Sequence, residues 1–276
     1  MKEMIKIERE RVQSNWGFWL SLSIGCTIAI AQIIMEVGRR SQDIIGGYRN
    51  DASCYLPSVF NSWIGGSGFS PYSFSYRTIF PILAILPCAI TYFMDMKTGY
   101  VKNIFSRTFR RNYYISKYLV NFIAGGISVV IPMLLNLLIT ACLLPSLLPS
   151  TNNLFAPISG SMLVALFYSH PYYYILIYML IYFIYGGVFA TLALSLVGFV
   201  HNIFMFTLCP FLMYYCLGII ASYIYNIHIG SWSPIYILDL TQPYKVKLSA
   251  IIIEAVLIGT ISSAIYIWRG FKDDIY

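Results

Sequence analysis

Six long apolar runs alternate with polar stretches along the chain: Trp16–Val37, Thr78–Phe93, Tyr118–Leu144, Tyr172–Gly198, Ile203–Tyr225 and Leu248–Trp268. Charge is almost absent inside them. A bilayer's hydrocarbon core is roughly 30 Å thick, so a spanning helix needs about 20 apolar residues, with every backbone N–H and C=O bonded internally. Five runs meet that length. The second is short and holds Pro81 and Pro87, which predicts that it begins further back, near Phe74, or is bent by its prolines. The pattern predicts an all-α polytopic membrane protein with six transmembrane helices, forming one domain over residues 1–276.

The polar intervals carry patterns of their own. Lys2–Val12 places Met1, Met4, Ile5 and Val12 at roughly helical spacing, which predicts an interfacial helix within residues 1–15, with Trp16 and Trp19 at headgroup level. A frayed, solvated leader is the alternative. Trp16–Val37 is too long for a signal-peptide core, lacks a small-residue cleavage site and follows Glu8 and Glu10, so it reads as the first span. In the outer loop Gly38–Arg77, Leu56, Val59, Phe60 and Trp63 fall at amphipathic spacing, predicting a short helix that packs on the spans, lies on the outer leaflet or meets a substrate. Pro145–Pro171 holds an apolar piece, Ser161–Phe167, and Phe199–Asn202 is a tight turn. Trp232–Leu240 is too short to span and reads as a re-entrant or interfacial half-helix before the last run. In Met94–Lys117, Val101, Ile104, Phe105 and Thr108 share one face, and Lys102, Arg107, Arg110 and Arg111 lie away from it. A short amphipathic helix follows, of a kind that also suits anionic lipid.

Composition sharpens this picture. Of 276 residues 58% are apolar and 11% charged, against about 25% charged in soluble domains, so little chain is left for a soluble unit. A formal charge of +7 raises the possibility of a nucleic-acid surface, but the positions of the cations argue otherwise. Twelve lysines and arginines fall in the N-terminal arm, the loop after the second run and the tail; the other six are Arg39, Arg40, Arg49, Arg77, Lys245 and Lys247. The positive-inside rule then puts both termini in the cytoplasm of a cell-membrane protein, bacterial in character. Most of the 24 tyrosines sit near run ends or in outer loops, as aromatic belts predict.

Candidate chemistry is sparse. No Gly-Lys dipeptide is present, so a phosphate-cradling loop is missing and the chain is not expected to be an enzyme or to bind a cofactor itself. His170, His201 and His228 are far apart, with no zinc-binding pair, and five of the six cysteines lie in apolar runs, so neither metal nor disulfide is expected. Glu254 is six residues into the last run, where a charge is costly. It either snorkels outward or lines a translocation path, with Lys245, Lys247 or Arg77 as natural partners. Asp95 and Glu36 read as span-end residues. Gly186–Ala190, Gly187–Thr191–Ser195, Gly218–Ser222 and Gly259–Ser263 are small-residue pairs that allow close helix approach, within a subunit or between two.

The order of an interfacial helix, a span ending in Asp95 with Gly99 four residues on, a basic amphipathic segment and the sequence RRNYYISKYL resembles the permease subunits of type-2 ABC exporters. The tight turn before the fifth run and the half-helix before the sixth also match that layout. The resemblance implies two permease subunits, identical or homologous, resting on separate nucleotide-binding ATPase subunits that hold ATP and Mg. It makes residues 95–117 a cytoplasmic coupling loop. Asp95, Lys97, Gly99, Tyr100, Val101, Ile104, Phe105 and Arg107 would then serve ATPase coupling, with Arg110, Arg111 and Lys117 anchoring the loop at the membrane. The substrate implied is hydrophobic or amphipathic, such as a peptide, antibiotic or lipid. Its identity, the direction of transport and the lining spans stay open. A non-transporting scaffold or sensor and an ion-coupled carrier are the competing readings.

Overall fold

A computed structural model describes residues 1–45, 57–68, 70–87, 91, 95, 98–99, 104–105, 108–149, 157, 162–197, 202–223, 232–241 and 246–272. Among them every regular element is helical. In chain order these are α1 (Lys2–Gln13), α2 (Trp16–Gln32), α3 (Gly38–Ile45), α4 (Val59–Ser62), α5 (Pro71–Ile85), α6 (Arg110–Leu143), α7 (Val164–Ser169), α8 (Pro171–Leu196), α9 (Ile203–Tyr223), α10 (Pro234–Ile237) and α11 (Leu248–Lys272). A π-helical turn, Ile33–Val37, joins α2 to α3.

Four helical stretches are long and apolar enough to cross a membrane: Trp16–Gln42, Arg110–Leu143, Pro171–Leu196 and Leu248–Trp268. This is a membrane protein by those helices. The fifth run forms a helix with the shorter apolar stretch Phe204–Ile220. The second run yields α5, which starts at Pro71, ahead of the apolar run, and has 15 residues. Six helices nevertheless alternate in direction. Residues toward the C-terminal ends of α5, α8 and α11 (Ile85, Leu194, Tyr266) share one hydrophobic cluster with the first turns of α6 and α9 (Tyr113, Phe206) and with Met4 of α1. This is the α1 end of the bundle; α10 lies at the other.

The prolines of the second run explain several cross-helix bonds. Pro87 has no N–H, so the carbonyl of Leu83, four residues back, loses its helical partner. Ser21 Oγ on α2 donates to that oxygen at 2.7 Å and Ser128 Oγ on α6 at 2.9 Å. Pro81 likewise frees the carbonyl of Arg77, and Tyr214 Oη on α9 donates to it at 3.2 Å. Neighbouring helices thus satisfy what proline exposes, as an apolar surrounding requires.

At the centre, α6 crosses α8 at paired glycines. A Cβ added to Gly125 would sit 2.5 Å from Ala190 Cβ and 2.8 Å from the Gly186 carbonyl. One added to Gly187 would sit 2.6 Å from the Phe122 ring. The small residues Gly186, Gly187 and Ala190 therefore serve packing inside the chain, whereas a Cβ at Gly259 would meet only Val188, at 3.9 Å. Toward the α10 end a polar seam fixes the segment around α4. Asn136 Nδ2 donates to Gln32 Oε1 (2.8 Å) and to the Ala29 carbonyl (3.0 Å), Asn136 Oδ1 accepts from Ile64 N (2.8 Å), and Gln32 Nε2 donates to the Ser62 carbonyl (2.6 Å). Val59, Phe60 and Trp63 are buried, so the amphipathic stretch seen in sequence packs against the bundle. Leu56 lies outside the described residues.

Candidate functional site

α1 is amphipathic, but its inward face is not purely apolar. Met4, Glu8 and Val12 stand four residues apart and are all buried, so one helical face carries a carboxylate between two hydrophobes. Glu8 is 1% exposed, and with Lys117 at 3% and Asp95 at 4% it forms the most enclosed charged group among the described residues. Lys117, in the second turn of α6, donates from Nζ to Glu8 Oε2 and to Asp95 Oδ2, each at 2.9 Å. Arg11, one turn beyond Glu8, grips Asp95 with both ends of its guanidinium: Nη1 to Oδ2 at 3.0 Å and Nη2 to Oδ1 at 2.5 Å. Its Nη1 also reaches Glu8 Oε1 at 3.4 Å.

Two acids and two bases cancel, which is the condition for holding them away from water. The bidentate geometry of Arg11 on Asp95 adds direction to the charge. Asp95 and Lys117 sit at the two ends of the segment singled out as a coupling loop, so their bond closes that loop at its base. Arg11 and Glu8 then tie the closed base to α1. α1 supplies Glu8 and Arg11, and α6 supplies Lys117.

Above this base the described part of the loop turns inward. Gly99 has φ +71°, a left-handed conformation that suits glycine, with open space where a Cβ would stand. Ile104 and Phe105 are half-buried against the cluster of Met4, Tyr113 and Tyr114, and Phe105 meets Tyr113 edge-on at 5.7 Å. The Arg110 guanidinium lies 5.3 Å from the Phe105 ring centre. Arg110 and Arg111 are exposed. Lys97, Tyr100, Val101 and Arg107 lie outside the described residues.

The α10 end is held differently. Arg77 on α5 pairs with Asp239, just after α10. Two tyrosines on α8 reach the same segment: Tyr182 Oη donates to the Leu238 carbonyl at 2.6 Å and Tyr174 Oη to the Leu240 carbonyl at 2.8 Å. Asp239 Oδ1 also accepts from Thr241 Oγ1 at 2.6 Å. A cavity of about 250 Å³ opens beside the ion pair, lined by Phe74, Tyr214, Tyr215, Ile235 and Tyr236. Six tyrosines depart from the belt pattern: Tyr76, Tyr174, Tyr178, Tyr182, Tyr185 and Tyr214 are buried within the bundle. Four of them line one face of α8, where the hydroxyls of Tyr174, Tyr182 and Tyr185 reach backbone carbonyls.

Glu254 on α11 is 6% exposed. Its contact is Tyr185 Oη at 3.2 Å, whereas Arg77 is engaged by Asp239 and Lys247 is exposed; Lys245 lies outside the described residues. Among the described residues no group of His, Cys, Asp or Glu converges as a metal site would require. Glu8 and Arg11 were not singled out in the sequence; the signal that finds Glu8 is its position midway between Met4 and Val12.

Comparison with family models, with curated proteins and with solved structures finds no match for this chain.

Proposed function

We propose that this chain is the membrane-spanning permease subunit of an ATP-driven exporter of the type-2 ABC class. In this reading its six alternating helices are six spans, both termini and the α1 end face the cytoplasm, and the protein resides in the cell membrane. Separate nucleotide-binding subunits supply ATP and Mg, and a second permease subunit, identical or homologous, completes the path. The substrate is hydrophobic or amphipathic: a peptide, an antibiotic or a lipid.

The observation that carries the reading is the Glu8–Arg11–Asp95–Lys117 cluster. A loop that receives a push from an ATPase transmits it only if its base does not yield. Here the base is closed by the Asp95–Lys117 bond of 2.9 Å and braced by a surface helix through Arg11. Displacement of the loop then moves α1 and the 34-residue α6 together, and α6 carries α8 with it through the glycine crossing. The exposed Arg110 and Arg111 are positioned to meet an acidic partner surface or anionic headgroups.

The test is affinity purification from native membranes in mild detergent, with identification of co-purifying chains and an ATPase assay. A stoichiometric partner with a phosphate-cradling loop, and loss of that partner in the Arg110→Glu, Arg111→Glu double variant, is the expected result. A monodisperse protein that repeatedly brings no ATPase overturns the reading in favour of a scaffold or an ion-coupled carrier.

A further inference from the structure

Glu254 stands apart from both ends of the bundle. It faces α8 from α11, on a helix whose neighbouring Ile252, Ile253, Val256 and Leu257 are all exposed at the bundle's surface. Its Oε1 is buried without a hydrogen-bond partner. The helices packed most closely against α11 are α8 and α6. From α8 the titratable group that faces Glu254 is Tyr185. From α6 it is Tyr118, which lies further along and bonds the Gly259 carbonyl at 3.3 Å and Ser262 Oγ at 3.4 Å. The ion pairs among the described residues involve Arg11, Arg77 and Lys117, and none reaches Glu254.

The hydrogen count decides the state of this acid. Tyr185 Oη lies 3.2 Å from Glu254 Oε2 and 3.3 Å from the Ile251 carbonyl. A phenol has a single hydrogen to donate. If Glu254 is ionised, both neighbours are pure acceptors and one contact is left without a proton, while half a negative charge rests on the unpartnered Oε1. If Glu254 carries a proton on Oε2, it donates to Tyr185, and Tyr185 donates to Ile251. Both bonds are then made, and Oε1 is a neutral carbonyl oxygen, far cheaper to leave bare in an apolar surrounding.

We propose that Glu254 is a proton-binding site: a neutral carboxylic acid in the α8–α11 seam, relayed through Tyr185 to the Ile251 carbonyl. Parting of the seam replaces Tyr185 by water and lets the acid ionise, so proton binding and helix packing are linked. The inference stands independently of the ATPase reading.

Infrared difference spectroscopy of the full-length protein in lipid at neutral pH, wild type minus Glu254→Gln, tests it. Glutamine mimics the neutral acid in shape and hydrogen bonding, so the fold is expected to persist. The expected result is the carbonyl stretch of a hydrogen-bonded carboxylic acid, which shifts in Tyr185→Phe and fades as pH rises, with the neutral-to-ionised ratio falling about tenfold per pH unit. The wild-type minus Tyr185→Phe spectrum gives the same reading if the glutamine variant does not purify. Carboxylate bands alone at neutral pH overturn the proposal. Carboxylate bands that respond to sodium or potassium also overturn it, by making the ligand a metal cation.

Discussion

The two ends of the bundle hold their peripheral segments by opposite means. At the α1 end, a surface helix and a loop base are fastened by four charged side chains, three of them nearly inaccessible. At the α10 end, a four-residue helix and the turn after it are fastened by tyrosine hydroxyls donating to backbone carbonyls, with one ion pair at the edge of a cavity. A buried charge cluster is stiff in an all-or-none way, because removing any member leaves an uncompensated charge. Hydroxyl-to-carbonyl bonds are individually modest and fail one at a time. The first arrangement suits a joint that must transmit displacement, the second a joint that opens in steps.

The largest effect is expected from breaking the cluster at its centre. Lys117→Met leaves Glu8 without a lysine and Asp95 with Arg11 alone, and should cost about 3–5 kcal/mol, read as a large drop in the thermal midpoint in detergent and new proteolysis within α1. The comparison is sharpened by adding Glu8→Leu. The double variant keeps the bidentate Arg11–Asp95 pair and buries no lone charge, so it should recover most of the loss. If it does not, the cluster is fastened by something other than charge balance.

At the other end Asp239→Asn is isosteric but leaves Arg77 without its counter-charge. Both side chains are partly accessible, at 15% and 13%, so the expected cost is smaller, about 1–3 kcal/mol. It should appear as faster hydrogen exchange across residues 234–241, with exchange in α1 unchanged. Equal loosening of both ends would mean that the two joints are one cooperative unit.

The sequence announces the apolar helices and not the joints. Run length and charge absence identify helical segments because they depend on residues near one another in the chain. The cluster joins Glu8 to Lys117 and Asp95, and the latch joins Arg77 to Asp239; those pairings are set by how helices stack, which periodicity does not encode. Glu8 was hidden because a carboxylate counts as polar in any amphipathic pattern, even at the centre of a buried face. The tyrosines were hidden by their own chemistry. An apolar ring with a polar tip suits a membrane interface, but the same ring at positions 174, 178, 182 and 185 recurs every three or four residues inside one run, and that recurrence marks a face turned inward. The helix of the second run begins ahead of the apolar stretch, at Pro71, and the hydroxyls that answer its prolines come from helices far away in sequence.

A single tyrosine at the α10 end should cost less again. Tyr182→Phe keeps the ring among Phe80 and its neighbours and removes only the 2.6 Å bond to Leu238, an expected loss of about 1 kcal/mol. Tyr174→Phe should behave alike at Leu240, and the two losses should be nearly additive, since each frees a different carbonyl. Strong non-additivity would contradict the stepwise character ascribed to this end.

The smallest effect lies between the two ends, at the Leu83 carbonyl. Ser21 and Ser128 both donate to it, and Ser128 Oγ also lies 2.9 Å from the Gly125 carbonyl of its own helix. Ser21→Ala or Ser128→Ala alone leaves the oxygen one donor, so each should cost about 0.6 kcal/mol, the average size of such bonds between membrane helices. The double variant strips a carbonyl that Pro87 has already deprived of its helical partner, and should cost more than the sum of the singles. A purely additive cycle would mean that water or a shift of α5 satisfies Leu83 without the serines. In that case the proline site is a point where the second helix bends freely, and the bundle between the two joints is less rigid than transmission from one to the other requires.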